Sequence, residues 1–196
     1  HVGHELRTPL TLIISPLETL MKEYQSDAVL MDKLNIVQRN AVRLLNLVNQ
    51  LLDFRKIDVN GYYLSLSDDD IISYIHTICD SFISLSEKKD ISLIFHSAVP
   101  SLNMLFDGDK MREVMMSLLS NAFKYTPNGK MITVLVREDE KSVSVSVEDQ
   151  GIGIADNKKK SLFVRFENLV DKNLFNQAST GIGLSLVKEL VEMHKA

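Results

Sequence analysis

Residues 6–51 carry two apolar seams that one pair of helices cannot cover by itself. Leu6, Leu10, Ile13, Leu17 and Leu20 alternate spacings of four and three, which draws one stripe along a helix. A polar break follows at Gln25-Ser26-Asp27, and the stripe resumes at Leu34, Val37, Ala41, Leu44, Val48 and Leu51. The pattern predicts an antiparallel helical hairpin with coiled-coil-like seams. A homodimer pairing two hairpins into a four-helix bundle would bury what one hairpin leaves open. The helical signal fades near Asp58-Val59-Asn60-Gly61, where Asn-Gly marks a turn and a short linker. Two domains are expected, a hairpin over 1–59 and a second domain over 60–196.

The second region mixes periods. Residues 70–87 read as one helix with Ile71, Ile75, Ile78, Cys79, Phe82 and Leu85 inward. Residues 91–95 read as a strand, 109–126 as a helix, and 131–137 as a β-branched strand. Ser142 to Val147 alternates Ser and Val, as a strand with one buried face does. A last helix is expected over 183–194. Strands and helices in this order predict an α+β layer, a sheet covered by helices on one face.

Composition removes several classes of function. A net charge of −4 provides no general basic surface, so no nucleic-acid partner is expected. Cys79 is the single cysteine and lies in an apolar pattern, which suits a small core residue better than a nucleophile. No apolar run approaches the ~18 residues of a membrane helix. Helical pattern is already under way at residue 1, so membrane attachment is expected only through parts of a longer parent. His76, His96 and His194 stand apart in the pattern and are read as structural, and no Cys/His spacing suggests zinc. Lys158-Lys159-Lys160 is read as a solvated charged face.

Several stretches suggest chemistry. At 100° per residue His4 lies about 160° from Leu6 and about 180° from Ile13, so it turns away from its seam. Glu5 adjoins it, and Thr8 follows one turn later on the same side. An imidazole can accept a phosphoryl group when a carboxylate takes its proton. Alone, such a histidine is an ordinary surface residue. On the 109–126 helix, Ser117, Asn121, Lys124 and Tyr125 share the side opposite the apolar face. Alone, that stripe is an ordinary amphipathic helix. Asp149-Gln150-Gly151-Ile152-Gly153 places a carboxylate beside a flexible backbone at a strand end. Alone, it is a turn. Gly181 and Gly183 open the last helix and leave N–H groups free for phosphate. The stretch 167–179 has no glycine and no strong period, and it is read as a lid over a nucleotide.

These strings together resemble the catalytic core of sensor histidine kinases. His4-Glu5-Leu6-Arg7-Thr8-Pro9-Leu10 resembles the phosphoacceptor box, and Leu118 to Pro127 resembles the N box. Asp149, Gly151 and Gly153 resemble the G1 box. Leu162-Phe163-Val164-Arg165-Phe166 resembles the F box, and Thr180-Gly181-Ile182-Gly183-Leu184 the G2 box. The five boxes keep the family's order over nearly the whole chain. The resemblance implies a helical hairpin followed by an α/β-sandwich of the GHKL (Bergerat) type shared with gyrase, Hsp90 and MutL. It makes His4 the phosphorylated residue, Glu5 its acid–base partner and Thr8 the residue that positions water in phosphatase activity. It assigns Asn121 to Mg²⁺, Lys124 to phosphate, Tyr125 to the nucleotide face, Asp149 to the adenine amine and Arg165 to the γ-phosphate. Gly151, Gly153, Thr180, Gly181, Gly183 and Leu184 complete the implied nucleotide contacts.

The implied cofactors are ATP and Mg²⁺, and the implied partner is a response-regulator receiver domain. Leu10 to Glu18 and Leu186 to Glu192 look most like hybrid sensors of Bacteroides-type bacteria, which carry a receiver in the same polypeptide. The implied location is a cytoplasmic domain of an inner-membrane sensor. Two departures stand out. Ser117 occupies the place of the N box's other Asn, and Ser179 that of the first G2 glycine. The family also continues past Ala196 with two more strands, so the sheet is expected to be incomplete here. The departures motivate one alternative, a catalytically weak dimer that docks or dephosphorylates its receiver. Another alternative is an ATPase of the gyrase branch that never labels itself, against which the His4 box argues.

Overall fold

The computed structural model describes the backbone of residues 2–60, 63–140, 142–164 and 183–194. The chain forms two compact units, residues 1–62 and 63–196. Among the described residues, no helix is long and apolar enough to cross a membrane.

The first unit is a helical hairpin. α1 spans Val2–Glu23 and α2 spans Ala28–Asn60, joined by a tight turn at the expected polar break. Asp27 caps α2, its Oδ1 accepting the Leu30 N–H at 3.0 Å. The helix continues through Asp58 and Val59 to Asn60, further than the apolar pattern suggests. Asp58-Val59-Asn60 is therefore helical rather than linker, because a polar stretch can extend a helix that its neighbours have already nucleated. Leu10, Leu34 and Ala41 are buried between the helices, whereas Ile13, Leu20, Val37 and Leu44 are exposed. The hairpin thus closes on one side of its seams and leaves the other at the surface.

The second unit layers helices on a sheet. Its elements in order are β1 (Ser67–Asp70), α3 (Ile71–Asp80), α4 (Ile83–Lys89), β2 (Ser92–Ser97), β3 (Asn103–Phe106), α5 (Gly108–Tyr125), β4 (Met131–Asp139), β5 (Ser142–Asp149), α6 (Asp156–Lys159) and α7 (Gly183–Met193). The order β2-β4-β5 makes a mixed sheet, parallel then antiparallel. A parallel pair needs a crossover, and the β3–α5 segment supplies it. Alternation along β4 buries Ile132, Val134 and Val136 against the helices. Val143, Val145 and Val147 of β5 pack on the same core. Met115, Leu119, Ala122 and Phe123 enter it from α5, and Ile71, Ile75, Ile78 and Cys79 from α3.

Two features differ from the expected elements. The helix expected over 70–87 is broken into α3 and α4. Ser81 turns its N–H and its hydroxyl back to the Ile78 carbonyl, and the hydroxyl bond of 2.6 Å competes with helix continuation. The break lets Phe82 swing inward and stack on Phe123 at 5.4 Å. The second difference is an additional sheet. β1 pairs antiparallel with β3, from Ser67 opposite Phe106 to Asp70 opposite Asn103. Three consecutive aspartates carry no strand signal in the sequence. Pairing with β3, with Phe106 and Met104 on the core side, imposes the extended conformation.

Asp107 caps α5 while buried. Its Oδ1 accepts the Lys110 N–H at 3.0 Å, and its Oδ2 accepts the Ser65 N–H at 2.8 Å. Burial pushes this carboxyl up, but the two N–H groups and the charge of Lys110 outweigh it and hold it below the usual carboxylate range. A depressed folded pKa means stability that is present above the unfolded value and lost as pH falls through the folded one. The stability gap between the wild type and Asp107→Asn should therefore be open near pH ~7 and close below pH ~4. Urea unfolding at both pH values measures it. Leu119→Ala, at a fully buried site, should cost about 2–5 kcal/mol in the same assay at neutral pH.

Candidate functional site

The C-terminal half of α5 meets the loop after β5. Asn121, Lys124 and Tyr125 are half-buried on the polar side of α5, and Asp149 is exposed at the end of β5. The Lys124 ammonium sits 5.1 Å from the centre of the Tyr125 ring, a cation–π contact that keeps the two side chains together. Asp149 Oδ1 accepts the Gly151 N–H at 2.8 Å, which folds the loop back on its own strand. Gly151 then lies against the end of α5. A Cβ at this position would stand 2.7 Å from the Tyr125 carbonyl oxygen, so only glycine fits. Gly153 has φ +68°, the left-handed region, with open space where a side chain would be.

The start of α7 joins the same side of α5. A Cβ on Gly183 would come within 2.9 Å of the Ser117 hydroxyl, one turn before Asn121. Val114 and Leu118 of α5 pack with Val187, Leu190 and Val191 of α7 to hold the helices together. Leu184 is half-buried beside this contact. Asn121, Lys124, Tyr125, Asp149, Gly151 and Gly153, with Gly183 and Leu184, are thus gathered around one helix by two glycine contacts. Sequence spacing alone does not indicate that Ser117 adjoins Gly183, because 66 residues separate them. Arg165, Thr180 and Gly181 lie outside the described residues, as does the expected lid.

His4 and Glu5 lie in the first turns of α1, and Thr8 follows, exposed. Pro9 and Pro16 both sit inside this helix. Lys158 to Lys160 are exposed, and Lys159 pairs with Asp156 at 2.7 Å, as a solvated face requires.

The fit to a nucleotide can be judged from the donor set. The polar side of α5 offers an amide oxygen, an ammonium and an aromatic ring beside a loop whose backbone approaches closely enough to exclude a side chain. Among the described residues no group of three His, Cys, Asp or Glu could hold a metal. A magnesium ion here would take most of its oxygen ligands from phosphates and water, as this ion commonly does.

Residues 1–60 match the family described as the His Kinase A (phospho-acceptor) domain. Residues 106–196 match the family described as the histidine kinase-, DNA gyrase B-, and HSP90-like ATPase. The chain belongs to the histidine kinases. It is 36% identical over 200 residues to histidine kinase P4 of Formosa agariphila, a match that takes in all of this chain and 14% of that protein. The histidine kinase core described here therefore spans about one seventh of that curated relative. ShkA, solved full-length in complex with AMPPNP, has the same fold with a TM-score of 0.79 and 23% identity, over 97% of this chain and 39% of that one. ThkA, solved in complex with the response regulator protein TrrA, aligns with a TM-score of 0.64 and 23% identity, over 88% of this chain and 51% of that one.

The glycine contact yields a prediction. Gly151→Ala should weaken binding of a fluorescent ATP analogue by about tenfold or more, since the Tyr125 carbonyl must move. Gly153→Ala meets no neighbour and should chiefly cost stability, about 1–2 kcal/mol from its backbone angle. Analogue titration and thermal unfolding of both variants separate the two effects.

Proposed function

We propose that this chain transfers the γ-phosphoryl group of ATP to His4 and passes it on to an aspartate of a receiver domain. The tandem order carries this reading: a phosphoacceptor domain with His4 in its first helix, followed by an ATPase domain with a glycine-lined nucleotide cradle. ATP supplies the phosphoryl group, with Mg²⁺ neutralising charge on its phosphates. A ring nitrogen of His4 forms the new bond to the γ-phosphorus as the bond to the bridging oxygen of ADP breaks. Glu5 takes the imidazole proton. Asn121 contributes an oxygen ligand to the metal, Lys124 pairs with phosphate, Tyr125 lies along the nucleotide, and Asp149 accepts from the adenine amine. The backbones of Gly151, Gly153, Gly183 and Leu184 line the cradle, with Thr180 and Gly181 ahead of them. Arg165 balances charge on the group in flight. Thr8 positions water when the receiver is dephosphorylated.

The working form is a homodimer. The exposed Ile13, Leu20, Val37 and Leu44 support this, because a second hairpin would bury them as a four-helix bundle. A response-regulator receiver is the partner, and the complex of ThkA with TrrA supports that choice. The hybrid-sensor resemblance supports a receiver within the same parent chain, and the family resemblance supports a parent in the inner membrane.

Incubation with labelled ATP and Mg²⁺ tests the reading. The protein should acquire acid-labile, base-stable label that His4→Gln abolishes while analogue binding persists. Unlabelled protein that still binds the analogue, or label surviving in His4→Gln, would exclude it.

A further inference from the structure

Three segments far apart in sequence converge on one buried residue, Asp107. Asp107 is 5% exposed and accepts from Lys110 through Oδ1 and from Ser65 through Oδ2. Its own N–H donates to Nε2 of His194 at 3.2 Å. His194 follows directly on α7, and its Nδ1 lies 2.8 Å from the Leu190 carbonyl. A carbonyl only accepts and an amide N–H only donates, so these two contacts together put the proton on Nδ1 and leave Nε2 bare.

Two of these bonds exceed what helix ends need. The Lys110 N–H alone satisfies the cap of α5. The last turn of α7 is closed by the His194 N–H to the carbonyls of Leu190 and Val191. The bonds from Ser65 and to His194 instead span 42 and 87 residues. They tie the opening segment of the second unit to α5 and α5 to α7.

The geometry of the two helices gives the tie a consequence. From Asp107 to Ser117 is ten residues of α5, about 15 Å of helix. From His194 back to Gly183 is eleven residues of α7, about 16 Å. The helices therefore meet twice, at Asp107–His194 and again at Ser117–Gly183. The second meeting is the nucleotide cradle. The apolar packing of Val114 with Val187 and Leu190 lies between.

We propose that Asp107 and His194 are positioning residues that clamp the far ends of α5 and α7 and bind them to Ser65, so that displacement of the segment entering the second unit reaches the nucleotide cradle. This rests on reading that cradle as the ATP site. The clamp needs no wire between the sites, because both helices are anchored on the same residue that Ser65 donates to.

The test uses the full chain as wild type, His194→Ala and His194→Gln. Gln keeps an amide able to donate and accept, and Ala keeps neither. Amide exchange is followed at Ser65, which does not touch His194. The Ala variant should raise exchange at Asp107 and also at Ser65 by about fivefold, the size of one lost hydrogen bond. It should weaken binding of the fluorescent ATP analogue by a similar factor, and the Gln variant should restore both within about twofold. Exchange rising at Asp107 while Ser65 and analogue affinity stay at wild-type values would overturn the proposal, as would failure of Gln to rescue. If wild type itself fails to bind the analogue, the nucleotide reading falls, and the coupling between His194 and Ser65 is still decided by exchange. Should the Ala variant not fold, Asp107→Asn replaces it, since it disturbs the Ser65 bond to the carboxylate: exchange at Ser65 and the analogue dissociation constant are expected to rise together, and a rise at Ser65 with unchanged analogue affinity would overturn the proposal.

Discussion

Everything in the second unit depends on α5 being buried on two sides at once. Met115, Leu119, Ala122 and Phe123 fill the space over the sheet, while Val114 and Leu118 receive α7. Apart from the exposed face of Asp109, Arg112 and Ser120, polar groups on this helix sit in the narrow strip left over. Ser117, Asn121, Lys124 and Tyr125 occupy that strip, and their half-burial follows from the helix's packing. The same packing that stabilises the unit therefore aims its chemistry, because moving α5 would cost core contacts on both faces.

The loops complete the site through close backbone approach. Gly151 touches the Tyr125 carbonyl, and Gly183 touches the Ser117 hydroxyl. Neither contact adds a functional group. Each removes a side chain and so leaves room for close approach, which the proposed nucleotide would use. The hairpin works by the opposite logic. It leaves apolar groups exposed, and a second copy would cover that surface in the proposed dimer.

Much of this was legible in residue order. The two seams, the Ser–Val alternation of β5 and the apolar face of α5 are periodic signals, and periodicity follows directly from helix and strand geometry. The break at Ser81 was not legible, since a hydroxyl bonding back to a carbonyl leaves no mark on apolar spacing. Nor was the β1–β3 pair, because Asp68, Asp69 and Asp70 become a strand only when β3 supplies partners. His194 read as an isolated residue, yet its ring bonds across 87 residues to the Asp107 amide. The Asp107 cap on Lys110 is local, three residues along the chain, whereas the reach of Asp107 to Ser65 spans 42 residues and leaves no local pattern.

The sequence by itself determined the helical hairpin, the alternating sheet, and the residue types of each box, since each is written within a few turns or strands of chain. Only the tertiary structure decided which boxes touch, that Ser117 faces Gly183, and that Asp107 gathers Ser65 and His194. Local pattern reports on neighbours along the chain. Contacts across dozens of residues are selected by how the core closes around α5, and that is a property of the whole fold.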